Sequence, residues 1–193
     1  MARPLPGRTT SDLSGIGTLN QPASGYVTCA VNKTDLGYRL DFTLRRARIT
    51  VTDGTTSGSH GSLKLIDLVE GAWTFLGSRQ DYTAFSEGSA LTGGAGDAVF
   101  EIGVGTTAIA AAADGTLGNG VNENVGQAVG VTLSSGTGTG TAVDGAKTTA
   151  LNGTATAIDL YLNWSGTAAT IDATSFVTVT GTISVLLSPL GDD

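Results

Sequence analysis

The most constraining feature of this sequence is an alternation of apolar and polar residues whose phase slips once. Every second residue is apolar on both sides of the slip: Tyr38, Leu40, Phe42 and Leu44 before it, and Ala47, Ile49 and Val51 after it. A period of two is typical of a strand with one buried face. Because a slip of one residue turns every side chain to the opposite face, we predict a β-bulge at Arg45 and Arg46.

The rest of the chain favours strands and turns over amphipathic helices. It holds 29 Gly in 193 residues, and only 14% of its residues are charged. Gly, Thr, Ala and Val at high levels suit short strands joined by tight turns. Strand patterns recur at intervals of roughly 8–12 residues, and several intervening loops are too long for simple hairpins. We therefore predict an all-β protein, a jelly-roll or Greek-key β-sandwich.

The pattern divides the chain into two parts. Residues 1–25 are interrupted throughout by Pro and Gly and predict an extended N-terminal arm, and residues 26–193 predict the β-sandwich domain. The first residues lack the apolar stretch of a secretory signal, which predicts synthesis in a cytoplasm. No apolar run approaches the ~20 residues that cross a bilayer, so we expect no membrane partner.

Charge is unevenly distributed along the sequence. Residues 1–79 contain nine of the ten Lys and Arg and six acids, a balance of +3, whereas residues 80–193 have a balance of −10. Such a division favours one surface that docks on a partner, although the fold could also mix the two halves. With a net charge of −7, nucleic acid is not an expected partner.

The residues that carry catalytic chemistry are scarce. The only histidine, His60, lies in a run of Ser and Gly that predicts a solvated loop, and the only cysteine, Cys29, lies in a strand pattern that predicts a buried, inert thiol. One His and one Cys cannot build the usual zinc sites, and the Asp- and Asn-containing loops match no calcium motif. Trp73 and Trp164 fall in strand patterns and are predicted to be core. We expect no enzyme activity, catalytic residue, metal or cofactor.

Three stretches together resemble a known class of protein. They cover positions 61–71 (GSLKLIDLVEG), 153–163 (GTATAIDLYLN) and 179–187 (VTGTISVLL), followed by a closing LGD at 190–192. Their order and spacing across residues 40–192 are similar to those of small structural proteins of tailed bacteriophages that decorate, or cement, the capsid. That family has no catalytic motif to transfer to this sequence.

The resemblance implies a β-sandwich protein, often a homotrimer, on the outer surface of a shell of major capsid protein in the virion. Its expected role is to hold neighbouring subunits together. The charge division suggests five arginines as contacts with the capsid or a neighbour: Arg3, Arg8, Arg45, Arg46 and Arg48. The alternative is a receptor- or glycan-binding module, such as the head domain of a virion fibre, because jelly rolls also serve that role.

Overall fold

The computed structural model shows a protein built from two packed β-sheets. It describes residues 13, 15–53, 59–87, 91–93, 98–109, 117, 123–133, 137–144, 149–153, 157–166, 169–171 and 176–191. In these residues every regular element is a strand, which confirms the predicted all-β class.

The first sheet comprises six strands within the described residues: β1 (Gly17–Leu19), β4 (Thr52–Asp53), β5 (Ser59–Leu68), β8 (Ala98–Gly105), β9 (Gly126–Leu133) and β12 (Asp159–Gly166). Their order is β1-β5-β12-β8-β9, and β4 also pairs with β5. Because β12 lies between β5 and β8, strands that are far apart in the chain become neighbours.

The second sheet also comprises six described strands: β2 (Tyr26–Thr34), β3 (Gly37–Thr50), β6 (Gly71–Glu87), β10 (Thr137–Asp144), β11 (Thr149–Gly153) and β14 (Phe176–Gly191). Their order is β10-β6-β14-β3-β2, and β11 also pairs with β6. Two short strands, β7 (Leu91–Gly93) and β13 (Ala169–Ile171), pair separately. All pairs are antiparallel, and the long-range returns of β12 and β14 are typical of Greek-key sandwiches.

The core fills the space between the two sheets. The predicted inward residues of β3 are buried on both sides of the phase slip, from Leu40 and Leu44 to Ala47 and Ile49. Trp73 and Trp164 are also buried, as predicted. A polar contact lies among these apolar residues: the hydroxyl of Tyr82 donates to Oε1 of Gln80 at 2.6 Å. Nε2 of Gln80 donates across to the carbonyl of Gln127 in β9 at 2.9 Å, so this side chain links the two sheets.

The β-bulge predicted in β3 is confirmed at Arg45 and Arg46. Leu44 pairs with Gly181 and Ala47 pairs with Val179, so two residues of β3 stand opposite the single residue Thr180. Arg46 has a φ of 49°, in the left-handed region. Its backbone N–H, which the bulge removes from the regular ladder, donates to Oγ1 of Thr180 at 3.1 Å.

The described part of the predicted arm lies on the sandwich. Residues 1–12 and 14 lie outside the described residues, whereas Leu13, Ile16 and Leu19 are buried in the core. β1 pairs with β5 along Gly17–Leu19. The first sheet therefore begins before the boundary predicted at residue 26. The sequence did not reveal β1, because a strand of three residues is too short to show a period.

The prediction of a solvated loop at His60 is wrong. His60 is only 7% exposed and belongs to β5, whose backbone pairs with Thr52 on one side and with Ser165 on the other. The composition of Ser and Gly indicates a loop, but cross-strand pairing on both sides overrides this local preference.

Candidate functional site

A groove of about 840 Å³ lies on the outer face of the second sheet and carries three of the predicted contact residues. It runs across β2, β3, β14 and β6. Its walls contain two aromatic residues, three arginines and a row of threonines, chiefly Tyr26, Arg45, Arg46, Arg48, Phe176 and Thr180. The groove therefore combines positive charge, hydroxyl groups and aromatic surface on one face of the molecule.

The bulge explains why the arginines share this face. In a regular strand, consecutive residues point to opposite faces, so Arg45 and Arg46 would be separated by the sheet. The extra residue of the bulge leaves both side chains exposed on the outer face, and Arg48 follows two positions later on the same side. A local irregularity of the backbone thus concentrates three guanidinium groups within four residues.

The backbone of the bulge is held from the β2 side. The N–H of Arg48 donates to the carbonyl of Ser24 at 3.0 Å. Gly25 has a φ of 76°, and a Cβ at this position would lie 1.9 Å from the carbonyl oxygen of Arg46. Only glycine permits this approach, so the segment before β2 fits closely over the bulge.

Aromatic rings orient two of the arginines. The guanidinium carbon of Arg48 lies 4.0 Å from the centroid of the Phe176 ring, which is a close cation–π contact. Arg45 lies 5.9 Å from the centroid of the Tyr26 ring, a longer contact of the same kind. Nε of Arg48 is buried and makes no hydrogen bond with any described residue. The position of this side chain therefore depends on stacking against Phe176.

The three arginines of the groove lack acidic partners in the described part of the chain: none of Arg45, Arg46 and Arg48 forms an ion pair there. Arg39, on the same sheet, differs because its Nε lies 2.9 Å from Oδ2 of Asp41. In a chain of net charge −7, three neighbouring cations without a counter-charge form a local positive surface.

The outer face of the first sheet has the opposite character. The ammonium group of Lys64 contacts the carboxylate of Asp67 and lies 2.9 Å from Oδ2 of Asp159. Asn20 donates to Asp67 at 2.8 Å, and the hydroxyl of Tyr161 donates to Asp159 at 2.9 Å. Every charged group of this cluster therefore has a partner within the protein.

These contacts shift the pKa values of the cluster. Partial burial alone would raise the pKa of Asp67, but a hydrogen bond shared with Asp159 and hydrogen bonds donated by Asn20 and Lys64 lower it to about 2. Partial burial alone would lower the pKa of Lys64, but its hydrogen bonds to Asp67 and Asp159 raise it. Both shifts favour the charged forms, as expected for an ion pair that stabilises the fold.

A second polar network on this sheet holds the segment that follows β8. Asn163 is fully buried; its Oδ1 accepts from the hydroxyl of Ser62 at 2.6 Å, and its Nδ2 donates to the carbonyl of Thr107 at 2.9 Å. The N–H of Ile109 donates to the Ser62 hydroxyl at 2.9 Å. The network therefore ties residues 107–109 to the sheet.

Two observations concern nucleophilic and metal chemistry in the described residues. Burial, followed by repulsion from Asp41, raises the pKa of Cys29 to about 12, so this thiol is a weak nucleophile near neutral pH. The described residues contain no group of three or more His, Cys, Asp and Glu side chains that could hold a metal ion. No helix in the described part of the chain has the length and apolarity needed to span a bilayer.

The structure describes three of the five predicted contact residues. Arg45, Arg46 and Arg48 come together in one groove, whereas Arg3 and Arg8 lie outside the described residues. Sequence reasoning missed Tyr26 and Phe176, the two aromatic residues of the groove. Phe176 is brought to β3 by the long-range pairing of β14, and Tyr26 lies opposite Arg45 at the far end of the β2–β3 hairpin. Strand periodicity alone does not give either neighbour.

Comparison of this chain with protein-family models, with curated proteins and with solved structures gives no match.

Proposed function

We propose that this protein is a structural component of a bacteriophage virion, which binds the outer surface of the major capsid protein shell and stabilises it. The observation that carries the proposal is the cluster of Arg45, Arg46 and Arg48, which has no acidic partner among the described residues. Charge complementarity across an interface steers association and fixes its orientation. The resemblance of residues 40–192 to capsid decoration proteins supports the same function.

The mechanism would be one of linked equilibria. A protein that binds only the assembled shell lowers the free energy of that shell, and the gain grows with its free concentration. Assembly as a homotrimer would add avidity, because each copy would bring a groove to the same shell. The broad, rigid face of a β-sandwich suits this mechanical role, since little side-chain or backbone entropy is lost when it docks.

One observation favours the alternative of a receptor- or glycan-binding module. The groove combines hydroxyl groups with the aromatic ring of Tyr26, and such combinations bind saccharides. Copy number distinguishes the two functions, because a decoration protein scales with the number of capsid subunits and a fibre head does not. Quantitative gel analysis of purified particles measures it.

Direct binding to shells tests the proposal. Shells assembled from the major capsid protein of the same phage are mixed with the full-length protein and sedimented, and bound protein is quantified. We expect saturable binding to shells and none to unassembled capsid protein. The variant R45Q/R46Q/R48Q should bind at least about tenfold more weakly, because interfacial charges commonly contribute this much or more.

The matched control is K33Q/R39Q/R79Q, which removes the same charge from exposed positions of the second sheet outside the groove. It should bind as the unchanged protein does. Equal losses of shell binding in both variants would mean that positive charge anywhere on the second sheet supports binding, and that the groove has no special role. Failure of the unchanged protein to bind shells would rule out the decoration function.

A further inference from the structure

The groove has chemical features that restrict what it can bind, and the inference drawn from them rests on the proposed function. Three arginines line the groove without acidic partners among the described residues. Like charges that line one groove repel one another, so a bound anion would stabilise the arrangement that the bulge maintains. A single anion neutralises only part of this charge, and a ligand with several anionic groups neutralises more.

Arginine geometry favours carboxylates as those anionic groups. The guanidinium plane presents parallel N–H donors that match the two oxygens of a carboxylate. Arg48 is already fixed on the ring of Phe176 at 4.0 Å, so it loses little conformational entropy on binding. Arg45 and Arg46 are exposed and adjacent, and they can each engage a separate carboxylate.

The size and lining of the groove favour an extended peptide over other polyanions. Its volume of about 840 Å³ accommodates a few residues of extended chain. A stacked base or an acidic sugar would need an open aromatic face. The guanidinium group of Arg48 lies 4.0 Å from the centroid of the Phe176 ring, and that of Arg45 lies over the ring of Tyr26 at 5.9 Å. Nucleic acid would also require cations along a path longer than the four residues from Arg45 to Arg48, in a chain of net charge −7.

We propose that the groove accepts an extended acidic segment of the partner shell protein, with carboxylates paired to Arg45 and Arg46 and a further carboxylate against Arg48. The threonine hydroxyls of the floor, such as Thr43 and Thr182, supply hydrogen bonds to the peptide groups of that segment. The bulge is then the specificity element of the docking surface, because it sets the spacing of the charges that the segment must match.

The test is a nuclear magnetic resonance titration of the full chain with a short blocked peptide of alternating Glu and Gly. The expected result is saturable shifts of signals from groove residues, which weaken as salt is added. The matched Gln–Gly peptide should give no saturable shifts. The variant R45Q/R46G should bind the acidic peptide at least about tenfold more weakly, and K33Q/R39Q/R79Q should bind it unchanged. Because glycine suits the positive φ at Arg46, R45Q/R46G keeps the backbone that the bulge requires.

Three outcomes would overturn the inference: no saturable binding of the Glu–Gly peptide, equal binding of the Gln–Gly peptide, or tighter binding of hyaluronate or single-stranded DNA at the same salt concentration. The sedimentation assay and the peptide titration test the proposed function and this inference separately. A protein that sediments with shells but ignores the acidic peptide would still be a decoration protein with a different docking element. If the protein binds the peptide in its groove but does not bind shells, the acidic-segment site is supported and the decoration function is ruled out.

Discussion

The charged cluster on the outer face of the first sheet and the arginine groove on the second sheet use their charged residues in opposite ways. On the first sheet, Lys64 is paired with both Asp67 and Asp159, and Asn163 holds residues 107–109 through buried hydrogen bonds. On the second sheet, Arg45 and Arg46 are exposed and have no ion pair among the described residues. Polar groups satisfied within the fold contribute to stability, whereas unsatisfied exposed cations are available to a partner. The paired cluster of the first sheet therefore contributes to stability alone, whereas the groove of the second sheet also has the charges for the binding that we propose.

The cause of the difference is a single backbone irregularity. Without the bulge, Arg45 and Arg46 would point to opposite faces, and one of them would enter the apolar core. The bulge is held by the hydroxyl of Thr180 and by the close approach of Gly25. Changes to these supports should alter the binding face, and changes to the networks of the first sheet should affect stability alone.

The largest effect is expected from Gly25→Ala. The new Cβ would lie 1.9 Å from the carbonyl oxygen of Arg46, and the φ of 76° is unfavourable for alanine. We expect the free energy of unfolding to fall by about 2–4 kcal/mol, measured by chemical denaturation. Shell binding should weaken as well, because the segment before β2 can no longer fit over the bulge.

The matched control for that substitution is Gly130→Ala in β9, where a Cβ would meet no atom within 4 Å. It should change the free energy of unfolding by less than about 1 kcal/mol. If the two alanine variants were equally stable, the close approach of Gly25 to the bulge would not contribute to the fold.

A smaller effect is expected from Asn163→Ala on the first sheet. The substitution removes the acceptor of Ser62 and the donor to the Thr107 carbonyl, and it leaves buried polar groups without these partners. We expect a loss of about 2 kcal/mol in the free energy of unfolding, with shell binding unchanged for the folded fraction. Hydrogen exchange should become faster at Ile109, whose N–H bonds to the same network.

The control is Asn32→Ala, which removes an exposed hydrogen bond to Asp41. Its cost should stay below about 0.5 kcal/mol, because water replaces the lost partner. A change in shell binding caused by Asn163→Ala would contradict the separation of the two faces.

Much of the second sheet could be predicted from the sequence because the signal there is local. The phase slip between Leu44 and Ala47 predicted the bulge, and the outward direction of Arg45, Arg46 and Arg48 follows from it. Period-two patterns of this kind depend on only a few consecutive residues, and one buried face is enough to produce them.

The features that escaped prediction depend on residues far apart in the chain. His60 is recruited into β5 by pairing with Thr52 and Ser165, although its own neighbours indicate a loop. Asn163 and Ser62 are separated by 101 positions, and no pattern in the sequence pairs them. Phe176 reaches Arg48 only because β14 returns beside β3. Contacts of this kind follow from topology, which a single sequence does not specify.

The smallest effect concerns the pH dependence of the first sheet. The pKa of Asp67 is lowered from an ordinary value of 3.8 to about 2, so its charged form is favoured in the folded protein. The resulting stabilisation is fully present above about pH 4 and is lost as the pH falls towards 2. Because the side chains of Lys64 and Asp67 are about one third exposed, solvent screening should limit it to less than about 1 kcal/mol.

Asp67→Asn should therefore make the free energy of unfolding fall less steeply between pH 4 and pH 2 than it does in the unchanged protein. Denaturation at a series of pH values measures this slope. Asp35→Asn, at an exposed position between β2 and β3, is the control and should leave the slope nearly unchanged. Parallel curves for Asp67→Asn and the unchanged protein would mean that the Lys64 cluster adds no stability. The contrast between a self-satisfied first sheet and an unpaired groove on the second sheet would then rest on the Asn163 network alone.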